Sequence, residues 1–133
     1  MLYEVMCIAM AIYWEARGEP FEGQVAVAQV VMNRVHDPRY PSDACSVVYD
    51  TRGTLDRPSR HQCQFSFFCD GKSDEPKDFA RWWIAQAVAD AVYHGRTGDP
   101  GEATHYHKIT VTPYWADPKA VVATVSRHVF YQL

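Results

Sequence analysis

The chain has 133 residues, 47% of them hydrophobic, 14% aromatic and 22% charged, with a formal net charge of -3. That length suits one domain, and the apolar share is enough for a core and too high for a disordered chain. The acidic balance argues against nucleic-acid binding, which takes clustered Lys and Arg, and no stretch reaches the roughly 18 to 20 apolar residues that span a membrane.

Residues 2–17 place Leu2, Val5, Met6, Ala9, Ile12, Tyr13 and Ala16 at helical spacing, and Gly18 and Pro20 end that pattern. Residues 22–36 predict a second helix with apolar residues on nearly every side, which marks it as central and buried. Two prolines make 36–42 a loop, 43–50 predicts a short helix, and 51–62 reads as a mobile loop bearing Arg and Pro. Gln64 to Phe68 alternates polar with aromatic residues, as a short strand closed by the Asp70-Gly71 turn would. A third long helix is expected from about Pro76 to His94, with Gly95 as its stop. Trp82 and Trp83 on it read as core and rim. Beyond a turn-rich 97–102, Ala103 to Thr112 and Val121 to Tyr131 predict two strands around a turn from Pro113 to Pro118. The whole, residues 1–133, reads as a single α+β domain, mainly helical, with a small antiparallel β subdomain. It is expected to be a monomer with no membrane insertion.

The stretch with chemistry in it is Tyr13-Trp14-Glu15-Ala16-Arg17-Gly18-Glu19-Pro20. Glu15 falls in the last turn of the first helix, where its carboxyl can lean into a cleft walled by Tyr13 and Trp14. Desolvation disfavours the charged carboxylate, so such a site keeps a proton available near neutral pH, as a general acid for glycosidic cleavage requires. Glu19 lies one turn further on, and two nearby carboxylates push their pKa values apart. From spacing alone, an ordinary solvated helix end explains the same residues.

This stretch, with Glu22-Gly23-Gln24, Val25 to Ala28 and Val31 to Val35, resembles the cell wall hydrolases of the SleB type, enzymes that cleave bacterial peptidoglycan. The resemblance continues through Cys63 to Phe67 with Asp70-Gly71, through Ala103 to His107, and through Arg127 to Tyr131, and so covers almost the whole chain. It implies a lysozyme-like, lytic-transglycosylase-type fold and one essential glutamate, for which Glu15 is the choice over Glu19. Trp14 departs from the alanine or phenylalanine expected before that glutamate. The implied reaction breaks the bond from N-acetylmuramic acid C1 to N-acetylglucosamine O4, with Glu15 as acid and then as base while the muramyl 6-hydroxyl closes on C1. A hydrolytic muramidase would need a second carboxylate, for which Glu19 and Asp70 are the candidates. A wall-binding module without turnover is the rival from another class, and an intact Glu15 speaks against it. The partner is the peptidoglycan glycan strand, acted on at the bacterial wall or periplasm. Glu4 stands where a basic leader segment would, so a phage lysin released by a holin and a domain excised from an exported protein both suit the sequence.

Substrate contacts are expected from Tyr13, Gln24, Gln64, Ser66, His105, Tyr106 and His107. Gln64 and Ser66 share one face of the expected strand. Gln24, Gln29 and Asn33 interrupt an apolar helix, and buried amides exist because they are hydrogen-bonded, so bracing the core is the competing role. His105 and His107 point the same way on a strand, yet zinc would take a third ligand, and the sequence has neither an H-E-x-x-H helix nor closely paired cysteines. No metal or other cofactor is expected.

The four cysteines allow three pairings. If 64–68 is a strand, Cys63 and Cys69 stand about 20 Å apart at roughly 3.3 Å per residue, beyond the reach of a disulfide. That leaves Cys7–Cys63 with Cys45–Cys69, or Cys7–Cys69 with Cys45–Cys63. The second is the choice because it staples the first helix near Glu15 to the Asp70-Gly71 turn, with a free buried Cys7 as the alternative.

Overall fold

The periodic apolar residues of the first third form two consecutive helices, α1 (Leu2–Ala16) and α2 (Phe21–Val35). The computed structural model describes residues 2–51 and 63–133, so the expected loop over 51–62 lies, except for Thr51, outside the described residues. Between the helices the chain reverses at Gly18, whose φ of +81° suits glycine, and Glu19 N–H donates to Ala16 O at 3.1 Å. A short α3 (Ala44–Val48) follows, capped by Asp43, which accepts from Ser46 N–H at 2.8 Å.

The next long helix, α4 (Phe79–Tyr93), starts three residues later than Pro76 predicts. Just ahead of it, the Tyr13 hydroxyl accepts the backbone N–H groups of Lys77 (3.2 Å) and Asp78 (3.0 Å). Asp78 then caps α4 through Arg81 N–H. Gly95, at φ +112°, ends the helix as expected.

Three strands follow: β1 (His105–Lys108), β2 (Val121–Val125) and β3 (His128–Tyr131), in the antiparallel order β1-β3-β2. The single strand expected over 121–131 is thus a hairpin, whose second strand β3 lies between β1 and β2. Its turn passes through Ser126, at φ +53°, a serine that carries no glycine-like turn signal. The first expected strand shortens to its His105–Lys108 centre.

α2 explains its own composition. One side joins Ile8, Ile12, Val47, Phe65, Phe67 and Val88 in the main core through Val25 and Val31. The other side packs Ala26 and Val30 under the sheet against Ala103 and Phe130. A helix covered on both sides is apolar all round.

The segment 64–68 is not a strand. Ser66–Cys69 is a turn of 3-10 helix, with Phe68 N–H donating to Phe65 O at 3.2 Å. That compaction brings the Cα atoms of Cys63 and Cys69 to 5.9 Å, and the two are bonded. The other disulfide joins Cys7 on α1 to Cys45 on α3, with Cα atoms 5.1 Å apart. The expected Cys7–Cys69 and Cys45–Cys63 pairing is therefore overturned, because the strand geometry behind it does not exist. Among the described residues, no helix is long and apolar enough to cross a membrane.

Candidate active site

Glu15 comes from the last turn of α1 and meets Tyr106 from the middle of β1: the tyrosine hydroxyl donates to Glu15 Oε1 at 2.8 Å. Burial pushes the Glu15 carboxyl above the usual glutamate range. The Tyr106 hydrogen bond and the charge of Lys108 pull it down, and nearby Glu19 adds to the rise. Burial and the Glu15 charge in turn lift Tyr106 well above an ordinary tyrosine, so its phenol keeps its proton and acts as a donor.

Two cavities meet at Glu15. The larger, about 580 Å³, also borders Trp14, Glu19, Lys108 and His128. The smaller, about 120 Å³, borders Gln64, His105, Tyr106 and Trp115. A half-buried acid at the junction of two polar hollows suits a bond that has groups to hold on either side.

The strand period sorts the sheet residues. Tyr106 pairs with Phe130 and Lys108 with His128, and these four share the face turned to the carboxylates. His105 and His107 take the other face with Tyr131, their rings 5.1 and 5.8 Å from Trp115. His107 Nδ1 lies 2.7 Å from Lys108 O, which accepts only, so Nδ1 carries the proton and Nε2 faces the Tyr131 hydroxyl at 2.7 Å. Of the two histidines, His105 reaches the smaller cavity. Among the described residues, no three His, Cys, Asp or Glu side chains gather as a metal site would require.

Glu19 and His128 form the feature that sequence reasoning missed. Glu19 Oε1 and His128 Nδ1 stand 3.4 Å apart, with side chains only 8% and 2% exposed. Burial lowers the His128 pKa, and Glu19 opposes that. The close approach depends on Gly23 of α2, where a Cβ would sit 3.0 Å from Glu19 Oε1 and 3.1 Å from Ser126 Cβ. The polar residues inside the apolar α2 do bracing work. Gln24 donates to Glu19 O at 3.0 Å, and Gln29 donates to Asn33, which holds the loop entering β1 through Gly101 O and Ala103 O.

The remaining expected residues divide. Tyr13 is 1% exposed and holds the approach to α4 beneath the cleft. Gln64 borders the smaller cavity, with its Oε1 accepting from Arg34 at 3.0 Å. Ser66 is exposed on the 3-10 helix and borders neither cavity. Asp70 accepts from Lys72 N–H at 2.9 Å in its own turn and also lies outside both cavities.

Residues 18–131 match the Cell Wall Hydrolase family. The chain belongs to that family. Over 130 residues and 96% of its length it is 31% identical to a spore cortex-lytic enzyme of Bacillus subtilis and 34% identical to one of Oceanobacillus iheyensis. It spans 37% and 41% of those two relatives. The catalytic domain of a germination-specific lytic transglycosylase, SleB from Bacillus anthracis, superposes with a TM-score of 0.68 at 26% identity, covering 96% of this chain and 93% of that one. The catalytic domain of Bacillus cereus SleB gives 0.67 at 24% identity, covering 96% and 88%. Within this Cell Wall Hydrolase chain, Trp14 is seated rather than loose: its Nε1–H donates to Asp74 O at 2.9 Å and its ring stacks 6.3 Å from Phe67.

Proposed function

We propose that this chain cleaves the bond between N-acetylmuramic acid and N-acetylglucosamine in bacterial peptidoglycan, as a lytic transglycosylase acting at the wall. The observation that carries the proposal is Glu15: a half-buried carboxyl with a raised pKa at the junction of two cavities, held by the Tyr106 hydroxyl. Family membership and the likeness to SleB catalytic domains support the same reading.

In this mechanism Glu15 gives its proton to the glucosamine O4 as the C1–O4 bond breaks and positive charge develops at the muramyl C1 and ring oxygen. Tyr106 then stabilises the carboxylate it faces. The ionised Glu15 takes the proton of the muramyl 6-hydroxyl while O6 bonds to C1, which closes a 1,6-anhydro ring and returns the acid to its starting state. No water enters, and one carboxylate serves both steps. Hydrolysis would instead assign water activation to a second carboxylate. Asp70 lies outside both cavities and Glu19 faces buried His128, which favours the intramolecular route.

The test is turnover of purified peptidoglycan by Glu15→Gln. The amide keeps the size of the side chain and cannot supply the proton, so release of soluble fragments falls by about 10²- to 10⁴-fold with an unchanged circular dichroism spectrum. A variant that stays near wild-type activity, while Glu19→Gln is inactive, would move the role to Glu19.

A further inference from the structure

We infer that the basic rim of the larger cavity recognises a carboxylate carried by the muramyl residue, which makes anionic glycan strands the preferred substrate. This rests on the proposed cleavage at Glu15 and names the substrate class for it. Three cations from separate parts of the chain border that cavity: Arg17 after α1, Lys108 on β1 and Arg127 in the β2–β3 turn. None of them makes an ion pair among the described residues.

The fold brings the three to one rim. The Arg17 guanidinium lies 4.6 Å from the Tyr13 ring centroid and 4.9 Å from that of Trp14, and these two aromatic contacts seat it at the cavity edge. Lys108 follows Tyr106 by two residues and so shares the face turned to Glu15 and His128. Arg127 O accepts from Ile109 N–H at 2.9 Å, which ties the hairpin turn to the strand end that carries Lys108.

The charge balance is local. Three cations face the two carboxylates of Glu15 and Glu19, which leaves an excess of one positive charge even with both carboxylates ionised, in a chain whose net charge is -3. Such a reversal in a concave site draws anions toward it. In the glycan strand, the group that sets the muramyl residue apart from glucosamine is its O3 lactyl ether. That ether ends in a carboxylate, or is extended by a stem peptide that ends in one. Either source presents the same chemistry to the rim.

The experiment compares kcat/KM on three substrates: intact peptidoglycan, strands stripped of stems by an amidase to expose lactyl carboxylates, and those stripped strands with their carboxylates converted to methyl amides. At low salt the carboxylate-bearing strands are cleaved about tenfold better than the amide strands, an advantage of one charge-assisted contact, and added salt shrinks it. The Arg17→Gln/Arg127→Gln double variant loses most of that advantage. Preference for intact peptidoglycan places the carboxylate on the stem, and preference for the stripped strands places it on the lactyl group; both support the rim. Equal rates on carboxylate and amide strands, an advantage indifferent to salt, or one retained in the double variant would overturn it. Cleavage of none of the three would instead remove the underlying reading of Glu15, and the rim with it.

Discussion

The Tyr106 hydroxyl and the Glu15 carboxyl, brought together from β1 and the end of α1, lie 2.8 Å apart with the phenol as donor. A donor to the ionised form lowers a carboxyl pKa, so this bond restrains the rise that burial imposes on Glu15. The general acid works while protonated, and activity falls as pH rises through the Glu15 pKa. Tyr106→Phe removes the restraint, so the alkaline limb of kcat/KM moves to higher pH while the maximal rate drops. A pH–rate profile of the two proteins reads this, and a limb that moves to lower pH would contradict it.

Gly23 allows Glu19 and the Ser126 turn to close over α2. On helix propensity alone, Gly23→Ala would gain roughly 1 kcal/mol. The added methyl meets a buried carboxylate tied to His128 and a Cβ one bond from a turn already at φ +53°, and neither yields freely. The expected balance is a net loss of about 1 to 2 kcal/mol and a lower rate. Urea unfolding followed by fluorescence measures the first, and a stabilised variant would show that the turn can shift.

Tyr13→Phe leaves the backbone N–H groups of Lys77 and Asp78 without their acceptor. The expected cost is about 1 to 3 kcal/mol, seen as a lower unfolding midpoint. The pH profile should keep its shape, because Tyr13 supports the cleft floor rather than Glu15.

Peptide mapping without reductant should recover Cys7–Cys45 and Cys63–Cys69. Cys7–Cys45 closes the longer loop and joins two helices, so its removal costs more, within the about 2 to 4 kcal/mol usual for a disulfide. Equal losses for the two bridges would contradict that ordering.

The long helices were legible because their apolar spacing repeats over many residues, and the buried α2 announced itself by having no polar side. The strands were less so. Val121 to Tyr131 is mostly β-branched and aromatic, and its turn at Ser126-Arg127 carries no glycine or proline to mark it. Alternation at 64–68 comes from Phe65 and Phe67 turning inward on a compact 3-10 turn, a pattern a strand shares. Glu15 was found through the motif around it. Tyr106 was expected as a substrate contact, and its bond to Glu15, like the pairing of Glu19 with His128, depends on contact between distant segments. Periodicity in one sequence holds no trace of such a contact. The placement of Lys108 and Arg127 around the same cavity as Glu15 depends on contacts of the same kind.

The central claim, that Glu15 alone serves as acid and then as base, is tested most directly by mass analysis of the muropeptides released from purified peptidoglycan. The account predicts 1,6-anhydro-muramyl ends, which form when the 6-hydroxyl of the same residue closes on C1. Reducing ends in their place, formed by capture of water, would contradict it and require a second carboxylate in the cleft.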